Sequence, residues 1–243
     1  DHGGILVLQK MGLDPKVGTD AIELLFLNDS AAEVNVTPDR GYCLSIRGVA
    51  REYSHATKTL FRDPIGHAHP EHVDGFSIRL EDKSPIRGKD GCDRFAVRVV
   101  RDLDATRPTP PWMVARLKLA GMRSISLIVD ITNYVMLELG QPLHAFDAEK
   151  ISGSLNIRRA GVSKSLKTLD GVVRKLNQND LVVADNKEPL ALAGAMGGES
   201  SEVTLNTTSI ALEGARFNPT SVAQNSRRHI LSSEASRRLE RGV

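Results

Sequence analysis

Hydrophobic and polar positions change rhythm along the chain near residue 75. Before that point the apolar residues fall in short, separated groups. Gly4-Ile-Leu-Val-Leu8 predicts a short buried strand. Asp20-x-x-Glu23, a variant of the capping box, opens a brief helix through Leu27. Glu33 to Thr37 alternates as a strand would, and Pro38-Asp39-Arg40-Gly41 is a turn by composition. Leu44, Ile46, Val49, Ala50 and Tyr53 fit a helix that runs to about Lys58. Residues 63–74 carry two Pro and three His (His67, His69, His72) and read as a linker, which puts a domain boundary near residue 75.

Beyond the boundary, short strands and helices follow one another. Phe76 to Leu80 and Phe95 to Val100 alternate as half-buried strands. Pro110-Pro111 precedes a helix with Trp112, Ala115 and Leu119 on one face and Gly121 as its stop. A more apolar helix runs from about Ile128 to Leu139 and ends at Gly140. Strands are expected near 154–159, 166–169 and 172–176, the last two joined by the hairpin signal Asp170-Gly171. Leu181 to Ala184, Leu190 to Ala193 and Ser209 to Glu213 are further strands. Asn218-Pro219 starts a helix to about Ile230, and Ser233 starts a last, Arg-rich one. The class is α+β, with four helices in the second part and no internal repeat.

At 243 residues the chain has room for about two domains, taking ~150 residues as a soft prior. Composition is that of a globular protein, 40% hydrophobic and 26% charged. No apolar run approaches the ~20 residues of a membrane span, so no membrane partner is expected. Aromatic residues make up only 4%, which calls for an aliphatic core and argues against a broad stacking platform for single-stranded nucleic acid. Cys43 and Cys92 form no Cys-x-x-Cys pair, and without a signal peptide a reducing, cytoplasmic compartment is the default. The ends, Asp1-His2-Gly3-Gly4 and Glu240-Arg241-Gly242-Val243, read as those of an internal piece of a longer polypeptide. The net charge of +2 hides a local excess: Arg216, Arg227, Arg228, Arg237, Arg238, Arg241 and His229 stand against Glu234 and Glu240. Such a surface could meet RNA phosphates, or it could be a solvated helical face with internal ion pairs.

Candidate chemistry is sparse. Gly194-Ala-Met-Gly197-Gly198 follows a strand, yet it lacks Gly-x-Gly-x-x-Gly and Gly-Lys-Ser/Thr, so the glycines suit a tight turn or close backbone approach better than a nucleotide phosphate. Asp180 and Asp185 flank a strand, and Glu138, His144 and Asp147 cluster in sequence, without the convergent spacing of a metal site. Glu213 ends an apolar strand where an unpaired carboxylate is expensive; it is either paired with a structural Arg or waiting for a ligand donor. No self-evident nucleophile appears.

Several strings taken together carry a family resemblance. Val36-Thr-Pro-Asp-Arg-Gly-Tyr-Cys-Leu-Ser-Ile-Arg-Gly-Val-Ala-Arg-Glu52 and Arg123-Ser-Ile-Ser-Leu-Ile-Val-Asp-Ile-Thr-Asn-Tyr-Val-Met-Leu-Glu-Leu-Gly-Gln-Pro-Leu-His-Ala-Phe-Asp147 resemble the N-terminal region of bacterial phenylalanyl-tRNA synthetase β subunits. Leu190 to Gly198, Leu212-Glu213 through Phe217-Asn-Pro219, and Ser233 to Val243 continue the likeness in the same order. The resemblance implies a layered, mixed-sheet editing domain with packed helices over 76–243, preceded over 1–75 by part of a small N-terminal domain. It implies hydrolysis of tyrosine mischarged onto tRNA(Phe), with tRNA(Phe) and an α subunit as partners in an α2β2 assembly. The aminoacylation centre would lie on the α subunit, so no cofactor is expected on this chain, ATP and Mg being used by the holoenzyme.

Carried over by position, Glu213 matches the carboxylate that accepts the tyrosine phenol hydrogen. Gly197 and Gly198 match the backbone lining that end of the pocket, and Ala235 a small residue that keeps it open. Thr132, Asn133 and His144 match the group around the scissile ester and its water. Departures are Gly214 where Ala is usual, Arg216 where the residue varies, and Leu239 where Phe is usual. The alternative from a different class is a non-catalytic scaffold for tRNA or the α subunit, with a decayed pocket.

Overall fold

The computed structural model describes residues 5–66, 75–162 and 164–242. The expected His-rich linker, His67, His69 and His72, lies outside the described residues, and the expected boundary near 75 falls at their edge. Before it the chain forms α1 (Ala21–Leu24) and α2 (Ile46–Thr57), with 3-10 turns at Leu8–Met11 and Pro38–Cys43. The Asp20 side chain caps α1 by accepting from the Ile22 amide, and Ser45 caps α2 by accepting from Gly48. Two expectations fail here. Residues 5–8 and 33–37 form no strand, since neither finds a ladder partner among the described residues.

The remainder is α+β. Its strands are β1 (Ile78–Glu81), β2 (Cys92–Val100), β3 (Leu143–Asp147), β4 (Leu155–Arg159), β5 (Ser165–Lys167), β6 (Val173–Lys175), β7 (Leu181–Ala184), β8 (Pro189–Leu192), β9 (Met196–Gly197) and β10 (Ile210–Phe217). Its helices are α3 (Pro111–Leu119), α4 (Leu127–Leu139), α5 (Pro219–His229) and α6 (Glu234–Leu239). A mixed sheet has the order β1-β4-β7-β8-β9, with only β1 and β4 parallel. An antiparallel sheet has the order β2-β10-β3, and β5-β6 is a hairpin. Gly171 takes a left-handed φ of 78° at the hairpin tip, and Asp170 clamps the turn by accepting from Arg174 and Thr168. Strands β3 and β9 are not among the elements the sequence pattern predicts.

The main core is the interface between the two sheets. Phe146, Ala211, Ala215 and Phe217 of one meet Leu155, Ile157, Leu181, Val183 and Leu190 of the other. Alternate residues of β7 serve opposite faces: Leu181 and Val183 enter this core, while Val182 and Ala184 join Leu166, Leu176, Leu192 and Leu231 behind the sheet. On α3 the buried residues are Met113, Ala115 and Leu117; of the expected face Ala115 is buried, Trp112 half-buried and Leu119 exposed.

One ion pair ties four elements together. Arg159 at the end of β4 donates from Nε to Asp82 Oδ1 at 2.9 Å and from Nη2 to Oδ2 at 2.6 Å, both side chains buried. The same carboxylate accepts from the Gly91 and Ser84 amides, and Arg159 also reaches Asn179 O and Ser221 Oγ. Removing one partner strands the other charge in low dielectric. Asp82→Ala is therefore expected to cost about 3–5 kcal/mol. Asp93→Ala, in the exposed pair with Arg216, should cost less than about 1 kcal/mol. Urea denaturation of both variants checks this; equal losses would remove the special role of the Asp82 pair.

Candidate functional site

β10 is the middle strand of its sheet and is covered on both sides. Ala211, Ala215 and Phe217 face the five-stranded sheet, while Ile210 packs with Ala145 and with Ile128 of α4 on the opposite face. Strict alternation then directs Glu213 into the gap between the sheets. Its ladder partners are His144 on β3 and Val97 on β2. Directly opposed residues share a face, so the Glu213 carboxyl and the His144 imidazole stand side by side. The imidazole packs edge-on to Phe146, with ring centroids 4.4 Å apart.

Across the gap lies the glycine strand. A Cβ at Gly197 would sit 2.5 Å from His144 Cε1 and 2.7 Å from Nε2, closer than any side chain can approach. One at Gly198 would lie 2.5 Å from the Leu190 carbonyl oxygen. Neither residue has a positive φ, so space and not backbone freedom requires glycine at both. Gly194, at φ 70°, turns β8 into β9, making a hairpin and not the strand-to-helix loop that would cradle a phosphate. The β5–β6 hairpin covers the outer side, where the Leu169 amide donates to Gly197 O at 3.1 Å. Sequence pattern did not mark Leu169 or Phe146; only the nearby Asp170-Gly171 turn hinted at a covering loop. Ala235 is half-buried on α6, whose cap Ser233 donates to Ala195 O at 3.0 Å and so seats the helix on the same glycine turn.

Glu213 is 7% exposed, and no donor or cation pairs with it among the described residues. Burial pushes its carboxyl up to about 8 and holds the His144 imidazole down at about 4. Both groups are consequently neutral at pH 7. Of the two options for Glu213, the structure gives the carboxyl without an Arg. Thr132 and Asn133 lie on α4, which packs against β3, the strand that carries His144. Thr132 donates its hydroxyl to the Val129 carbonyl at 2.7 Å, within α4. Asn133 is half-buried beside it without a side-chain hydrogen bond among the described residues.

Other clusters resolve into structure. Asp180 is fully buried and pairs with Arg228 and with His229 Nε2, the latter at 2.7 Å. Asp185 accepts from the Ser152, Lys187 and Glu188 amides. Asp147 points away from His144 and accepts from Thr207. Among the described residues no group of three His, Cys, Asp or Glu converges as metal ligands. Cys43 and Cys92 are free. The basic C-terminal stretch is mostly spent internally: Arg216 on Asp93, Arg228 on Asp180, Arg237 and Arg238 on Glu234.

The neutral pair sets a pH dependence. Between its ordinary 4.5 and about 8, folded Glu213 keeps a proton that the unfolded chain releases, so stability falls as pH rises through that window. His144 acts oppositely: between about 4 and its ordinary 6.5 the unfolded chain takes up a proton that the folded one refuses, so stability falls as pH drops. The two offset where they overlap, leaving Glu213 alone from pH 6.5 to 8. Glu213→Gln should abolish a loss of roughly 1–2 kcal/mol over that span. Urea titrations at both pH values test it, and equal slopes for the two proteins would rule out the buried neutral acid.

The B3/4 domain profile matches residues 91–243. The phenylalanine–tRNA ligase beta subunit of Leifsonia xyli is 58% identical over 100% of this chain and 29% of its own length. That of Streptomyces avermitilis is 50% identical over 99% of this chain and 28% of its own. Thus the chain spans less than a third of the length of these relatives. A solved N-terminal fragment of the phenylalanyl-tRNA synthetase beta subunit from Pyrococcus horikoshii is 13% identical, covering 93% of this chain and 71% of that one, with a TM-score of 0.45. Placed over the two-sheet region that holds Glu213, His144 and Gly197, the profile match shows that the chain belongs to the B3/4 domain family, and its relatives are phenylalanine–tRNA ligase β subunits, the proteins its own strings resemble.

Proposed function

We propose that this chain carries an editing site that hydrolyses tyrosyl-tRNA(Phe) in a phenylalanine–tRNA ligase. The observation that supports the reading is the buried, unpartnered Glu213 carboxyl beside His144, whose ring occupies the space left by the missing side chain of Gly197. An acceptor buried without a donor favours a ligand that brings one. The phenol of tyrosine does so, donating to the carbonyl oxygen of the neutral Glu213 carboxyl. Phenylalanine fills the same space and leaves that oxygen unpaired, a difference worth up to ~10⁴-fold in sites built this way.

Hydrolysis needs little more than a placed water. The water oxygen bonds to the ester carbonyl carbon, the bond to the ribose oxygen breaks, and that oxygen takes up a proton. His144 is neutral at physiological pH and accepts a hydrogen bond from the water through its free ring nitrogen; with its basicity lowered by burial, it acts chiefly by orientation. Thr132, Asn133 and Ala235 enter the reading from family resemblance alone. The same reading assigns 76–243 to the editing domain, 1–75 to a partial N-terminal domain, ATP and Mg to the aminoacylation centre of an α subunit, and the whole to a cytoplasmic α2β2 enzyme acting on tRNA(Phe). No helix among the described residues is long and apolar enough to cross a membrane.

In the intact α/β enzyme, Glu213→Ala should lower deacylation of Tyr-tRNA(Phe) at least ~10-fold while phenylalanine charging keeps its rate. Gly197→Ala should reduce deacylation as well, because the new methyl displaces the His144 ring. Unchanged deacylation in Glu213→Ala would take that residue out of the specificity role. Wild-type enzyme that charges normally and deacylates nothing would favour the scaffold reading.

A further inference from the structure

A chain with ten aromatic residues brings three of them to one surface cleft. Trp112 on α3, Tyr134 on α4 and Phe26 just beyond α1 line a cavity of about 560 Å³, together with Arg116, Glu23 and Asp29. The cleft lies apart from Glu213 and His144, and its volume falls within the ~300–1,000 Å³ of small-molecule sites. Trp112 and Tyr134 meet edge to face, centroids 5.2 Å apart. The Arg116 guanidinium carbon lies 5.6 Å from the centre of the Trp112 ring, and Nη1 donates to Tyr134 Oη at 2.9 Å. These contacts fix the guanidinium and engage one of its five N–H donors.

The facing wall is the segment around α1. Phe26 takes a φ of 55°, a conformation bulky residues rarely adopt, and is 51% exposed. Among the described residues neither Glu23 nor Asp29 forms an ion pair with Arg116; Asp29 accepts only from the adjacent Ser30 amide. The cleft thus offers a fixed guanidinium with free donors, two carboxylates without cations, and aromatic walls. A positioned guanidinium selects a carboxylate or a phosphate. Two carboxylates against one cation disfavour a phosphate and call for an ammonium group. The aromatic walls call for an apolar body.

We infer that this cleft binds a free α-amino acid with a bulky apolar side chain, its carboxylate on Arg116, its ammonium on Glu23 and Asp29, and its side chain against Trp112 and Phe26.

Trp112 is the sole Trp of the chain, so its fluorescence reports on the cleft. Titrating the 243-residue chain with L-leucine and L-phenylalanine should give a saturable change, matched by calorimetry. Leucinamide, lacking the carboxylate, and N-acetyl-leucine, lacking the ammonium, should each bind ~10-fold or more weakly. Arg116→Met and Glu23→Gln should lose L-leucine affinity by a similar factor, both positions being exposed and their variants checked by urea unfolding. Binding of L-leucine should persist in Glu213→Gln, which separates this cleft from the site between the sheets. No saturable binding of either amino acid overturns the inference. So does equal affinity for N-acetyl-leucine, which would indicate a peptide segment as the occupant, or tighter binding of GMP than of L-leucine, which would indicate a nucleotide.

Discussion

Covering β10 on both faces is the constraint from which the rest of the architecture follows. A strand enclosed by a sheet on one side and a helix on the other keeps most of its side chains from water, and on β10 Arg216 alone is exposed. The small residues Ala211 and Ala215 let the five-stranded sheet approach closely on one side, and Ile210 seals the other against α4. Any residue between Ala211 and Ala215 on the first face must enter a space made for alanine-sized neighbours. Glu213 stands at that position, and the apolar surroundings make it keep its proton in place of a counter-ion.

Much of this was legible in the sequence because helix ends carry local chemistry. Asp20, Asn218 and Ser233 all cap the helices they were expected to cap, and the Asp170-Gly171 hairpin forms. Strand existence is a nonlocal property, and there the pattern misled in both directions. Residues 5–8 and 33–37 have the right alternation and no partner, while β3 has a partner and a disguised pattern, since His144 is polar and inward-facing. β9 has two residues, too few for any periodicity to show. The carboxyl of the site could be singled out from the cost of burying it. Its proximity to His144 required the ladder register, which local sequence does not encode. The α3 helix shows a similar limit: the indole was expected inside, yet the residues around it fill the core first.

Polar anchors do in the N-terminal part what packing does elsewhere. Within residues 5–66 only Gly41, Ser45 and Gly48 are buried, and Ile46, Val49 and Tyr53, the apolar positions that define α2, face water. Order there comes from the other end of the chain. The buried Arg238 donates from Nε to the Leu44 carbonyl at 3.0 Å while its Nη1 holds Glu234, and Gly41 admits the backbone of Arg241 at a distance that excludes any Cβ. Most of the arginines that gave the C-terminal stretch its basic appearance are therefore part of the scaffold, and net charge was a poor guide to the surface.

The pairing of β2 with β10 has a kinetic side. Arg216 and Asp93, whose side chains pair beside the register shift in that ladder, are 123 positions apart, so most of the domain is threaded between the two strands. Contacts of such separation form late, after the entropy of closing a long loop has been met by local structure. Until they form, Glu213 is bathed in water and titrates as an ordinary carboxylic acid. The proton it holds is thus acquired during the final assembly of the two sheets, and proton uptake on refolding near neutral pH would time that last step.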